Sequence, residues 1–453
     1  MRTPAPQDRS MHRYDALPEL AGLSTYAGAT RIGWSVDENV ERLLRLHWME
    51  RRLMAALVAR ITAEPVWEVK CALGLHQWQS AERITALRGR IAEMRNPVPP
   101  LDGAPYGAES IDALFDEAMR ARDTRELVMA VYGVVFPHLA DAYRAHHDGC
   151  NPLVDHPTAR LIRLALPELD DAVQWGRAAL AVLGEADAHR DRLQAVLHGA
   201  HVDSPDAPPA PPPPPDFHPR RDERFDGQYN FEFAPHVVYN MPEASAEERN
   251  LALLCKRTLE MDVPEMMASF MTERTGQPWE FYHDYSRQLW DEMRHAMMGS
   301  VALEARGVDW KRDVPLNVSF ALRLNLHAEP IERQMMLYAI EQSLMPADTG
   351  KRFEHQTAVA AGDALSAHFH DYDWADEVLH AQIGRRALKR EGISPDEARE
   401  RAHAIHEKTW AALDGYRHLS EQRDWWPGFV RETLGIESAT VQGARPQLNI
   451  FSE

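Results

Sequence analysis

Apolar residues recur at intervals of three and four positions through most of this chain, with polar residues between them. This spacing places the apolar side chains on one face of an α-helix. Strand-like alternation is scarce, so the pattern predicts an all-α protein. The predicted helices span residues 40–60, 67–94, 124–146, 156–197, 244–272, 278–306, 328–344 and 353–390, and a last helix begins after Ser394, a favourable N-cap residue.

A proline-rich segment interrupts this helical pattern near the middle of the chain. Residues 204–220 read SPDAPPAPPPPPDFHPR, and such a run favours extended polyproline II conformation over a packed core. We therefore predict a flexible linker here. The predicted organisation is a helical domain at 1–201, a linker with an irregular segment at 202–243, and a second helical domain at 244–453 that includes a last helix and a tail.

A carboxylate–histidine pattern occurs twice in the second half. The run Asp-Glu-Met-Arg-His at 291–295 follows Glu260 after thirty residues, and Asp-Glu-Val-Leu-His at 376–380 follows Glu341 after thirty-four. Glutamate and histidine three positions apart share one helix face. Two such helices, each beside a helix with one inward glutamate, supply the ligands of a dimetal site in a four-helix bundle. The predicted metal ligands are Glu260, Glu292, His295, Glu341, Glu377 and His380.

The residues next to these predicted ligands suit a supporting role. Asp291 and Asp376 each immediately precede a ligand glutamate. In a bundle, Asp291 would face His380 and Asp376 would face His295, which would fix the tautomer and orientation of each imidazole. Arg294 would pair with Asp376 and keep it ionised. Oxygen and imidazole ligands without a thiolate indicate iron or manganese.

The first half resembles the second at an offset of about 206 to 210 residues. Two ligand glutamates, Glu260 and Glu292, align with Glu50 and Glu82, but neither ligand histidine has a histidine opposite it. The other aligned residues are Thr85, Val135, Asp171 and Gln174. We therefore predict that the first half is a degenerate, metal-free copy, kept for packing, for dimerisation or to close the active site. A weaker site in this half is the alternative.

Several residues allow two interpretations. Glu265 and Glu332 are alternative carboxylate ligands to Glu260 and Glu341. His370 and Asp373 lie on the same helix face as Glu377, where either is an extra ligand, a proton relay or a structural residue. Tyr338, one turn before Glu341, is either a redox residue or a packing residue; Tyr132 at the matching position of the metal-free half favours packing.

Charge and composition narrow the class of protein. Fifty basic and sixty-nine acidic residues give a formal net charge of −19, which disfavours nucleic acid as a partner. The three cysteines are far apart and form no CxxC pair, which argues against a disulfide framework or a rubredoxin-type iron centre. The N-terminal sequence lacks the apolar region of a signal peptide, and no apolar run is long enough to cross a membrane. We expect a cytoplasmic protein with no membrane partner.

These motifs resemble those of the ferritin-like di-iron carboxylate superfamily. The run Asp-Glu-x-Arg-His at 291–295 is similar to the motif of bacterial multicomponent monooxygenase hydroxylases. A glutamate spaced before Glu-x-x-His is shared with acyl-carrier-protein desaturases, ribonucleotide reductase small subunits and rubrerythrins. The resemblance covers about residues 244–390, and the second run departs from it with Leu379 where arginine would complete the motif.

The resemblance implies two tandem ferritin-like four-helix bundles, of which the second binds two iron ions, or a manganese–iron pair. It implies a non-haem di-iron oxygenase that activates O2 and oxidises a small organic substrate by hydroxylation, N-oxygenation, desaturation or C–C cleavage, as in secondary metabolism. An external electron donor, a ferredoxin or a flavin reductase, would be required. The oligomeric state is open, with a homodimer as one alternative. The competing functions are a ferroxidase or iron-handling protein and a non-catalytic helical scaffold.

Overall fold

The computed structural model describes residues 13–105, 107–199, 211–231, 233–419 and 424–439. Within these ranges the chain forms helices and no β-strand, so the prediction of an all-α protein is confirmed. The helices of the first half are α1 Val36–Ile61, α2 Trp67–Glu93, α3 Glu109–Ala118, α4 Thr124–Val128, α5 Phe136–Gly149, α6 His156–Leu183 and α7 Asp187–Leu197. The helices of the second half are α8 Ala246–Thr258, α9 Asp262–Glu273, α10 Trp279–Glu304, α11 Ser319–His327, α12 Pro330–Ser343, α13 Lys351–Ala360, α14 Ala364–Arg390, α15 Pro395–Ala412 and α16 Trp426–Leu434.

Side-chain caps fix where several helices begin. Ser35 and Glu38 form a capping box at the start of α1, in which each side chain bonds the backbone N–H of the other residue. The Ser394 hydroxyl accepts a hydrogen bond from the backbone N–H of Glu397, so the predicted start of the last long helix is confirmed. Asp363 caps α14 in the same way. These caps satisfy N–H groups that have no partner inside the helix.

Two prolines reshape helices that the apolar spacing predicts to be continuous. Pro264 has no N–H, and its ring would clash with the carbonyl group of Glu260 in an α-helix. The chain instead makes a 3-10 turn at Leu259–Met261, between α8 and α9. Pro137 stands in the same relation to the carbonyl four residues before it, and the wider π-helical segment Met129–Val135 separates α4 from α5.

Other predicted helices differ from the observed ones at glycines. The helix predicted at 156–197 breaks after α6, where Gly184 has φ of 87°. The helix predicted at 353–390 breaks at Gly362, with φ of 68°, into α13 and α14. Only glycine adopts these backbone conformations at low cost, and apolar periodicity does not detect them. Helices α3, α11 and α16 were not predicted.

The two halves share one hydrophobic core. In the first half α1 packs along α2, and α6 packs against both α2 and α5. In the second half α8, α9 and α14 pack against α10, and α12 packs against α14. Helix α2 also packs against α10 and α1 against α9, so the main apolar cluster runs through both halves. At this junction the sulfur of Met293 lies over Gly74, where an added Cβ would be only 2.0 Å away.

The segment after the proline run is part of the folded body. Residues 202–210 of the predicted linker lie outside the described residues, and prolines 211–215 are largely exposed. Beyond them, the buried guanidinium of Arg221 forms an ion pair with Asp262 at 3.1 Å. Phe225 and Phe233 are buried in the main core. The irregular segment that the sequence predicts after the proline run therefore packs on the helices, with Phe225, Phe231 and Phe233 buried.

No helix within the described ranges is long and apolar enough to cross a bilayer. The predicted tail of the second domain contains α16, which lies against α8. Trp426 Nε1 donates to Glu248 Oε1 at 3.0 Å. Residues 440–453 of this tail and residues 1–12 lie outside the described residues.

Candidate metal centre

The structure brings all six predicted ligand side chains together. They come from four elements of the second half, and five of the six are buried at 2% exposure or less. The side chain of Glu260 is the exception, with 13% exposed. The elements are the 3-10 turn between α8 and α9 for Glu260, α10 for Glu292 and His295, α12 for Glu341, and α14 for Glu377 and His380.

One group of carboxylates surrounds His380. Its Nδ1 atom lies 3.1 Å from Glu292 Oε1, 3.3 Å from Glu377 Oε2 and 4.0 Å from Glu341 Oε2. These four residues offer ligand atoms that all lie within 4.8 Å of one another. One imidazole and three carboxylates from three helices therefore converge on one buried point.

A second group surrounds His295. Its Nδ1 atom lies 3.7 Å from Glu292 Oε2, 3.7 Å from Glu377 Oε1 and 3.9 Å from Glu260 Oε2. Glu292 and Glu377 thus turn one carboxylate oxygen toward each histidine. The two imidazole centroids are 5.8 Å apart. Two adjacent positions result, and they share two carboxylates.

The opposite nitrogen of each imidazole faces an aspartate. His380 Nε2 lies 3.4 Å from Asp291 and His295 Nε2 lies 3.3 Å from Asp376. Arg294 bonds Asp376 at 2.7 Å and also contacts Asp291. This crossed arrangement matches the one expected from the sequence. An aspartate at each Nε2 favours a proton on that nitrogen, and each Nδ1 faces the carboxylates.

Asp291 is held in the ionised form. Burial raises the pKa of Asp291, but hydrogen bonds from His380 and from Arg287 outweigh burial and keep this pKa well below its ordinary value. Arg287 Nε lies 2.8 Å from Asp291 Oδ2. An anionic acceptor favours the N–H on the facing imidazole nitrogen, so the aspartates set the tautomer of the histidines.

Two buried cations that the sequence analysis missed belong to this site. Lys351 Nζ lies 3.0 Å from Asp373, 3.0 Å from Glu377 and 3.5 Å from Glu260. Arg257 bonds Glu260 at 3.1 Å and Asp373 at 2.7 Å. Arg257 stands three residues before Glu260, a spacing that the sequence does show. Lys351 opens α13, and nothing in the sequence links it to the carboxylates.

The alternative ligands separate clearly. Asp373 reaches the site, with Oδ1 3.2 Å from His295 Nδ1. His370 does not contact the predicted ligands through this nitrogen: its Nδ1 lies 2.8 Å from Arg257 Nη2. Glu265 is buried away from the site, in an ion pair with Lys70 and with Arg221. Glu332 belongs to the capping box at the start of α12. Glu260 and Glu341 therefore occupy the positions that the sequence left open, and Asp373 is a seventh candidate ligand.

The carboxylates around both histidines raise the pKa of each imidazole. Burial lowers the pKa of His295, but the charge of Asp373 and the hydrogen bond to Asp376 outweigh it and raise this pKa to about 10. The pKa of His380 is also raised, against burial, by hydrogen bonds to Asp291 and Glu292. Burial raises the pKa of Glu341 well above its usual range. The cluster thus carries an excess of buried negative charge that needs bound cations or protons.

The donor set fits metal ions. His295 Nδ1 and Glu341 Oε2 are buried and have no hydrogen-bond partner, although both face the carboxylate group. Such unsatisfied buried atoms are costly unless a ligand engages them. Gln288 Nε2 donates to the other oxygen of Glu341 at 2.8 Å and so orients this carboxylate. Nitrogen and oxygen donors in this ratio suit iron or manganese.

A cavity of about 550 Å³ opens onto the carboxylates. Glu260, Glu292, Glu341 and Glu377 form part of its wall, and much of the remaining wall is aromatic and aliphatic. Phe231, Phe233 and Tyr239 contribute from the segment that follows the proline run. A pocket of this size, mostly apolar with a few convergent polar groups, suits a small organic molecule.

In the first half, Glu50, which aligns with Glu260, forms a salt bridge and is not part of a carboxylate–histidine cluster. The buried carboxylate of Glu50 accepts hydrogen bonds from Arg83 Nε at 2.6 Å, from Ser80 at 2.6 Å and from Tyr143 at 2.9 Å. Glu82, which aligns with Glu292, points away from it and bonds His283 at 2.8 Å with half of its side chain exposed. The residue that meets Glu50 is thus Arg83. Within residues 13–105 and 107–199 no metal-binding group of three such side chains occurs.

Comparison of this chain with protein-family models, with curated proteins and with solved structures finds no match. A function for this chain is therefore inferred from the residues of the site. Six side chains picked out by two short motifs and their spacing converge in one buried place, with a cavity beside them.

Proposed function

We propose that the second half binds two iron ions, or a manganese–iron pair, and that the protein is an oxygenase acting on a small organic substrate. Glu260, Glu292 and His295 would hold one ion, and Glu341, Glu377 and His380 would hold the other. The observation that carries this proposal is that Glu292 and Glu377 each turn one oxygen toward each histidine. Carboxylates placed in this way are the groups that would link two metal ions.

We further propose that the chain is a tandem pair of ferritin-like four-helix bundles and that the first is a degenerate copy. Support comes from one packing detail that recurs. A helix glycine lies against a tyrosine of an earlier helical segment at Gly176 with Tyr132, and again at Gly384 with Tyr338. The two pairs are separated by about the offset that relates the halves in sequence. Tyr338 then has the packing role that Tyr132 has.

The residues around the site have distinct roles in this proposal. Metal ions bound here would supply the electrons and the binding positions for activation of O2, with a ferredoxin or a flavin reductase as external donor. Asp291 and Asp376 would hold the imidazoles in the ligating tautomer. The ammonium group of Lys351 would orient Glu377 and Glu260 and offset part of their negative charge.

The cavity favours oxidation of an organic molecule over iron handling. An iron-handling site needs a polar path to solvent for hydrated ions. This cavity instead has much more apolar than polar wall and is large enough for a molecule of many atoms. Its walls would exclude water from the reacting groups once substrate is bound.

Metal content after anaerobic loading with Fe(II) tests the proposal. We expect about two irons per chain by mass spectrometry, and a change in near-ultraviolet and visible absorbance when the loaded protein meets O2. Glu292→Ala removes a carboxylate shared by both positions and should abolish loading. Glu82→Ala, the same change at the aligned residue of the first half, should load like the wild type.

No bound iron in the wild type would exclude the oxygenase. About four irons per chain would show that the first half is not degenerate. Bound iron that never consumes O2 with any reductant would favour the scaffold or the iron-handling alternative.

A further inference from the structure

One buried cation in the cavity wall has no anionic partner. Arg323 is completely buried. Its Nη1 donates to Thr409 Oγ1 at 2.6 Å, its Nη2 lies 3.3 Å from His406 Nδ1, and its Nε is buried without a partner. Among the residues that the structure describes, no carboxylate lies within ion-pair distance of this guanidinium. A buried charge without a counter-ion is costly, so its presence calls for an explanation.

The surroundings of Arg323 keep it charged and leave it unpaired. The acid that interacts with it electrostatically is Asp262. The carboxylate of Asp262 is already engaged by Arg221 and by the backbone N–H of Phe320. Burial lowers the pKa of Arg323 only to about 9, so the guanidinium is protonated at neutral pH.

Aromatic rings flank this guanidinium. Its Cζ lies 5.4 Å from the ring centroid of Trp410 and 5.5 Å from that of Phe320. These contacts stabilise a desolvated cation weakly and hold its plane in position. They supply no negative charge. An anion from outside the chain is the partner that this arrangement lacks.

The same cavity has Arg323 in one part of its wall and the metal-site carboxylates in another. Arg323, Phe320 and Trp410 line it, as do Glu292 and Glu377. Arg249, a second guanidinium of the wall, also has a buried Nε with no partner. The cavity wall therefore includes two guanidinium groups, four metal-site carboxylates and aromatic side chains of α11, α15 and the segment after the proline run.

We propose that the cavity binds an organic acid, with its carboxylate or phosphate paired to Arg323 and its apolar body along Phe320 and Trp410, so that the far end lies beside Glu292 and Glu377. The identification of this acid as the substrate rests on the proposed oxygenase function. The binding of the acid does not, because Arg323 contacts none of the proposed metal ligands.

Binding to the metal-free full chain tests this proposal. The probes are 4-phenylbutyrate, phenyl phosphate, the neutral 4-phenylbutyramide and the cationic 4-phenylbutylamine, each titrated calorimetrically into protein treated with a chelator. We expect an anion to bind about 10- to 100-fold more tightly than the amide, the range for a hydrogen bond to a charged group. The stronger of the two anions identifies the head group. Quenching of tryptophan fluorescence that disappears in Trp410→Phe would locate the ligand.

Arg323→Met should remove the preference for an anion while keeping the apolar volume, and Arg323→Lys should retain part of it. Arg312→Met, which makes the same change in net charge at an exposed arginine, is the matched control and should bind like the wild type. Equal affinity for acid and amide, or an Arg323→Met variant that is folded and binds the acid unchanged, would overturn the proposal.

The two proposals fail separately. A chain that loads two irons but binds acid and amide equally retains the oxygenase function and loses the anion site. A chain that binds the acid through Arg323 but takes up no iron retains the anion site and loses the oxygenase.

Discussion

The two halves differ in how the negative charge of their buried carboxylates is balanced. In the first half, the buried carboxylate of Glu50 is balanced inside the chain by Arg83, with Ser80 and Tyr143 satisfying its remaining lone pairs. In the second half, the carboxylates outnumber the nearby cations, and the Nδ1 atoms of two imidazoles face them. A half that carries its own counter-ion needs no metal, whereas the other half is left with charge for an ion to balance.

One packing detail occurs in both halves. Gly176 lies against Tyr132 in the first half, and Gly384 lies against Tyr338 in the second. The buried carboxylates of the two centres have different neighbours: Arg83 in the first half, and two imidazoles in the second.

The strongest test of this comparison removes the internal counter-ion of the first half. Arg83→Met leaves Glu50 buried without its cation, and we expect a loss of about 3–5 kcal/mol in the free energy of unfolding. The double variant Glu50→Gln, Arg83→Met removes both charges and should recover most of this loss. Chemical denaturation measures both values. A single variant as stable as the wild type would show that the salt bridge does not balance the first half.

A second test concerns the orientation of the imidazoles. Asp291→Asn removes the anionic acceptor of His380 Nε2, and we expect metal affinity to fall by about 10- to 100-fold. Competition with a chromophoric chelator measures it. Asp171→Asn at an aligned acidic residue of the first half is the control. Unchanged affinity in Asp291→Asn would remove this aspartate from the proposed role.

The third test uses pH, because the pKa values of His76 in the first half and His295 in the second are shifted in opposite directions. Burial, with the charge of Arg83, lowers the pKa of His76 to about 3, whereas the pKa of His295 is raised to about 10. A lowered histidine pKa means that the unfolded chain binds the proton more tightly, so stability from His76 is lost as pH falls below about 6.5. A raised pKa means the reverse: stability from His295 in metal-free protein is lost as pH rises toward 10.

His76→Gln should therefore reduce the loss of stability at low pH by about 2 kcal/mol at pH 5. This pH lies about 1.5 pH units below the ordinary histidine pKa of about 6.5, and each unit corresponds to about 1.36 kcal/mol. Denaturation at a series of pH values on metal-free protein measures it. The alkaline limb should stay as in the wild type. A variant that shifts both limbs equally would show a packing effect instead.

The sequence predicted the long helices and the six converging side chains because both depend on local spacing. Glutamate and histidine three positions apart share a face wherever the helix lies, so Glu292 with His295 needed no tertiary information. Lys351 reaches the same site from a separate helix, and only the packing of α13 on α14 brings it there. Glu82 aligns with Glu292 but is half exposed, because one position along a helix turns the side chain by about 100° and Arg83 is the inward residue.

The cavity wall formed by Phe231, Phe233 and Tyr239 decides where this chain tolerates changes in length. Extra residues within the exposed prolines at 211–215 would alter no contact of the site. An insertion between 217 and 242 would displace the wall itself. A second half produced from residue 244 onward would retain every proposed ligand but would lose Phe231, Phe233 and Tyr239 from the cavity wall, so the residues just before 244 are part of the candidate site.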